Sequence, residues 1–154
     1  MKKNPPFLFL LRAAIGCLFI FAGYSKLMAP ASSFTGVILG YQLVSIRIAS
    51  LLAVAFPWTE LIAGVFFALG LWLRPSFFIL WSLNVMFLVA IVFALIRGIP
   101  IHDCGCFGEG SGAPALPIQA TLGLDMALFF VFLWMNSKKE QVKYLSLDCF
   151  LSRF

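Results

Sequence analysis

Four stretches of this chain run for about twenty residues or more with almost no charge, and nothing else in the sequence limits the fold so strongly. They cover residues 7–27, 48–73, 76–96 and 118–136. A helix crossing the hydrocarbon core of a bilayer needs about 20 mostly apolar residues, whereas a barrel strand is near ten residues long and alternates. Of the 154 residues, 62% are hydrophobic and 11% are charged. A soluble domain is nearer 45–50% apolar and about 25% charged, and could not bury this much apolar surface. The same arithmetic excludes disorder, a collagen-like repeat and a nucleic-acid-binding domain. The expectation is an all-α integral membrane four-helix bundle over residues 1–137, embedded in the lipid bilayer, followed by a basic tail over 138–154.

Lys2 and Lys3 before an apolar run suggest a signal peptide. The run is longer than a typical h-region, Arg12 interrupts it, and no small-x-small cleavage site follows at Gly23-Tyr24-Ser25-Lys26, so it reads as a retained span. The net charge of +5 is a topology signal here, because the bases stand between spans. Lys2, Lys3, Arg74, Lys138, Lys139, Lys143 and Arg153 fall on one side; Lys26, Arg47 and Arg97 fall on the other. This distribution predicts cytoplasmic termini in a multi-pass protein of the bacterial inner membrane. The loops 28–47 and 97–117 then face outward, where disulfides persist. The first of these, with Pro30, Ser32, Ser33 and Gly36, suits a loop with a short interfacial helix. The tail carries apolar residues among its bases and suits an anionic lipid surface.

The second outward loop holds the residues with the most chemistry. It reads Arg97-Gly98-Ile99-Pro100-Ile101-His102-Asp103-Cys104-Gly105-Cys106-Phe107-Gly108-Glu109. Residues two apart have Cα atoms at most about 7 Å apart, and a disulfide spans about 4.4–6.8 Å. A Cys104–Cys106 bridge is therefore feasible but tight, with Gly105 free to take a positive φ. So small a ring is strained and easily reduced, and it removes little chain entropy, which favours a redox role over a structural one. His102, Arg97 and Lys26 are placed to favour a thiolate. Metal binding is the competing chemistry: His102, Asp103, Cys104, Cys106 and Glu109 offer ligands for Zn or Cu, although Cys-x-Cys is a poor spacing for one tetrahedral ion.

Charges inside spans are the second signal, since each costs about 2.5–3.5 kcal/mol at mid-span on insertion scales. Counted at about 1.5 Å per residue from the outer end of its own span, Asp125 lies about 10 Å deep and Glu60 about 18 Å, just after Pro57. With Lys26, whose stem reaches inward, they are expected to form a buried cluster beneath the cysteine loop; plain polar glue between helices is the alternative. Arg12 is expected to snorkel to the headgroups, Asn84 to bond between helices, and Cys17 to be a small core residue. Cys149 falls in the cytoplasmic tail, and the eighteen Phe residues face lipid, fill the bundle or wall a quinone pocket.

Several of these residues together resemble the DoxX-like/MauE membrane proteins, most closely the MauE branch. They are Gly16, Phe19, Ala22-Gly23 and Lys26 in the first span; Tyr41; Pro57-Trp58-x-Glu60 with Gly64; and Arg97-Gly98 followed by Asp103-Cys104-Gly105-Cys106-Phe107-Gly108. The resemblance covers about residues 12–130. It implies a four-helix membrane bundle tied to thiol–disulfide chemistry outside the cytoplasm. MauE-type proteins are associated with maturation of the disulfide-rich small subunit of methylamine dehydrogenase, DoxX-like relatives with oxidant defence, and a DoxD branch with quinone-linked thiosulfate oxidation. The architecture is also similar to that of the DsbB and vitamin K epoxide reductase membrane oxidoreductases. Those carry a second cysteine pair, which the outward loops of this chain lack.

The function expected is thiol–disulfide exchange through Cys104 and Cys106 with a periplasmic thioredoxin-like partner, with quinone as a candidate electron acceptor. His102 and Asp103 would assist; Gly105, Phe107, Gly108, Arg97, Lys26, Glu60 and Asp125 would support the site. The rivals are a non-catalytic membrane subunit or assembly factor, and a bundle that binds quinone or a small solute at the Lys26/Glu60/Asp125 cluster.

Overall fold

The computed structural model describes residues 5–98 and 118–137. Among them the regular structure is entirely helical: α1 (Pro5–Met28), α2 (Ala31–Gly40), α3 (Ile46–Leu69), α4 (Leu73–Ile96) and α5 (Ile118–Ser137). Four of the five are long and apolar enough to cross a membrane: Phe7–Met28, Ile46–Leu69, Leu73–Ile96 and Gln119–Ser137. At about 1.5 Å per residue these run to about 28–36 Å, comparable with the roughly 30 Å of a hydrocarbon core. Leu51, Val89 and Ile96 stand exposed on them, as lipid-facing residues do.

In lipid, apolar burial does not by itself draw helices together, so close approach through small residues matters more. The α1–α3 interface is the most extensive in the bundle and is built this way. A Cβ placed on Gly16 would lie 2.6 Å from Ala68 Cβ, and one on Gly23 would lie 2.8 Å from the Pro57 carbonyl oxygen. Gly64 faces Ile20 and the Gly16 carbonyl in the same seam. Below it, Ile15, Phe19, Phe67, Leu73, Leu80, Phe132 and Met135 form the main core, where the Phe77 and Phe132 rings meet edge to face at 5.3 Å.

The second span is shorter at its far end than its hydropathy suggests. The helix stops at Leu69 and not at Leu73, because Gly70 takes φ 78°. The Gly70 and Leu71 amides then return to the Phe67 and Phe66 carbonyls, a Schellman closure. Leu71 and Trp72 are apolar but belong to the turn, and Trp72 itself is left-handed at φ 47°. Pro75 falls in the first turn of α4, where no amide is needed.

Helix α2 lies across the opposite end of the bundle. Its Phe34 is buried, and Val37 with the following Tyr41 packs onto Ala90, Ile91 and Ala94 of α4 and Leu122 of α5. The last turn of α4 and the first turns of α5 therefore lie at the end covered by α2.

Candidate functional site

Lys26 sits in the last turn of α1, where the helix dipole favours a cation. Glu60 lies on the buried stripe of α3 that also carries Ala53, Pro57, Ala63 and Gly64. Because Gly23 lets α1 come up against the Pro57–Leu61 turn of α3, the two side chains meet inside the bundle. Lys26 Nζ donates to Glu60 Oε1 at 2.8 Å and to Oε2 at 2.6 Å, with side chains only 1% and 2% exposed. The rings of Phe87 and Phe34 lie 5.1 and 5.5 Å from Nζ, close enough for cation–π attraction. Phe34 brings α2 over the pair as a cover.

On the facing helices, Asn84 Nδ2 of α4 donates to the Asp125 backbone oxygen at 3.3 Å and to its Oδ1 at 3.4 Å. Both residues are buried. The two polar pairs line one cavity of ≈ 30 Å³ together with Leu18, Phe19, Ala22 and Phe87. That volume gives room for water-sized molecules.

Lys26, Glu60 and Asp125 are thus brought together, and at one level. Depth counted from each span's own end put Glu60 about 8 Å below Asp125. The difference is absorbed by stagger: Asn84, well inside α4, meets Asp125 only two turns into α5, so α5 starts short of the end of α4, and the end of α1 lies level with the middle of α3. Arg97 closes the end of α4, exposed, with its guanidinium carbon 4.4 Å from the Phe93 ring centre. Cys104, Cys106, His102, Asp103, Gly105, Phe107, Gly108 and Glu109 lie outside the described residues, and with them the cysteine and metal readings of the loop.

Two expectations are corrected. Arg12 does not snorkel; it is 1% exposed. With Gly16 facing Ala68, a residue one turn earlier falls opposite the α3–α4 turn, and a Cβ on Gly70 would come within 3.0 Å of the Arg12 guanidinium. Phe9 stacks on it at 5.2 Å. Cys17 is not in the core; it is exposed on the outer face of α1. Sequence reasoning also missed Phe34 and Phe87 as the aromatic cover of Lys26. A buried-facing Phe in a short helix just after the span was the available signal for the first.

These elements define an all-helical, multi-pass membrane protein with a paired, buried charge cluster among its spans. The chain belongs to the MauE family: the model described as Methylamine utilisation protein MauE matches residues 4–136. No curated protein and no solved structure matches it at a significant level.

Proposed function

We propose that this protein is a membrane accessory factor in protein maturation outside the cytoplasm, acting by thiol–disulfide exchange through Cys104 and Cys106. The observation that carries the reading is membership of the MauE family over nearly the whole chain, including the Cys-Gly-Cys segment. The partner is a periplasmic thioredoxin-like protein. One thiolate attacks the disulfide of the other molecule, a mixed disulfide forms, and the second cysteine resolves it; one disulfide breaks, one forms, and two electrons move. His102 and Asp103 adjoin the pair in sequence and handle its protons. In this reading the protein sits in the bacterial inner membrane with both termini in the cytoplasm, following its distribution of bases.

Single Cys104→Ser and Cys106→Ser variants, run on non-reducing gels from the native host, test the exchange. One of them should trap a mixed disulfide with a soluble partner, and both should lose activity in the partner's pathway. Full activity in both, with nothing trapped, would replace exchange by a docking role for the loop.

A further inference from the structure

Asn84 is 2% exposed, yet its amide is only half satisfied. Nδ2 donates to the Asp125 backbone oxygen and Oδ1, which fixes the way the amide is turned. Its own Oδ1 has no hydrogen-bond partner among the described residues. An amide oxygen left bare inside a membrane is expensive, so it calls for a donor. The cavity that Asn84 lines gives room for a water-sized group, but most of its wall is apolar: Leu18, Phe19, Ala22, Phe87, Leu124 and Leu128. Such a wall suits one small polar group carried on an apolar body.

The way in lies between α1 and α5. These helices meet through the ring pairs Phe19–Phe132, at 6.3 Å, and Phe7–Trp134, at 6.4 Å. About one turn beyond Phe19, the α1 side of the cavity is only the methyl group of Ala22. Leu18, Leu124 and Leu128 around it are half-buried, so part of each faces out of the bundle towards lipid. A molecule entering from hydrocarbon arrives cheaply only if it is uncharged. Nor does the Lys26–Glu60 pair ask for another ion, since its two contacts at 2.6 and 2.8 Å already join the charges. A hydroxyl is neutral, water-sized and donates one O–H.

We propose that this cavity is a subsite for a lipid-phase alcohol, whose O–H donates to Asn84 Oδ1 while its apolar body lies between α1 and α5 against Leu18, Leu124 and Leu128. The chemistry recognised is a hydroxyl on an apolar chain or ring, so aliphatic and phenolic alcohols both carry it. Their ethers have the same body and no donor, and the site rejects them because Asn84 Oδ1 then stays bare.

The test is photolabelling of the full-length protein in phosphatidylcholine nanodiscs, with the labelled residues located by mass spectrometry. The probes are a long-chain aliphatic alcohol, a para-alkylphenol and the methyl ether of each, all carrying the same diazirine. At least one alcohol should label Leu18, Ala22, Leu124 or Leu128 on the order of tenfold more than its own ether, the weight of a single buried hydrogen bond. The alcohol that does so identifies the source, a lipid alcohol or a phenolic ring. Asn84→Leu, which removes the acceptor, should bring that alcohol down to the level of its ether. Ala22→Val narrows the cavity, keeps every polar group and should abolish the same preference, so the test holds if Asn84→Leu does not fold. The proposal is overturned if neither alcohol labels these residues better than its ether, or if the preference persists in either folded variant.

Discussion

Removing either member of the Lys26–Glu60 pair should destabilise the protein, and the two single variants should differ. At contacts of 2.6 and 2.8 Å the attraction is about 6 kcal/mol for an effective dielectric of about 20, much of it offset by the cost of keeping both ions out of water. Breaking such a pair from one side costs roughly 3–5 kcal/mol, because the surviving charge is left desolvated. Glu60→Gln should fall near the lower figure, since Asp125 lines the same cavity and supplies Lys26 with a second counter-charge. Lys26→Met should fall near the upper one, because it leaves two carboxylates and no cation. The double variant Lys26→Met/Glu60→Gln should recover about 2 kcal/mol or more relative to the sum of the singles, since it removes the Glu60 charge that Lys26→Met alone leaves stranded. Equilibrium unfolding in mixed detergent micelles, across all four members of the cycle, measures this. Single effects that add to within about 0.5 kcal/mol would refute the pairing.

The α1–α3 seam gives a second test: Gly23→Ala should cost about 1–3 kcal/mol in the same unfolding assay, because its Cβ would fall 2.8 Å from the Pro57 carbonyl oxygen. Gly36→Ala, with open space around it, should cost nothing measurable. At the α3–α4 turn, Gly70→Ala should cost about 1–2 kcal/mol, for a left-handed φ of 78° that a Cβ disfavours. Cys17, exposed on α1, should react in intact membranes with a lipid-soluble maleimide and not with a charged one. For the topology, an impermeant thiol reagent on intact spheroplasts should label reduced Cys104 or Cys106 and leave Cys149 untouched; labelling of Cys149 would reverse the assignment.

The spans were legible because length and apolarity alone decide whether a helix can cross a bilayer. The polar cluster was legible because Lys26, Glu60 and Asp125 are the kind of residue a span does not carry without a partner. Other features were not visible in composition. Leu71-Trp72-Leu73 is as apolar as the helix before it, so the end of α3 depended on the backbone angle of Gly70. Arg12 looked free to reach the headgroups because nothing local shows that α1 runs past the end of α3 and carries it beneath the turn. The relative depth of Glu60 and Asp125 was misjudged for the same reason: stagger between helices is a tertiary quantity. Cys17 was assigned inward on residue type, and helix rotation decided otherwise.

The three-residue link between α3 and α4 bears on how such a protein enters its membrane. Two spans joined by Gly70, Leu71 and Trp72 have no hydrophilic loop to leave behind, and of the hairpin's own residues near the bend only Arg74 is charged. They can partition into the bilayer together as one hairpin, each satisfying its own backbone groups. The hairpin carries Gly64 and Ala68 on the face that α1 packs against, so the Lys26–Glu60 contact closes only when α1 and the hairpin dock along that seam within the bilayer.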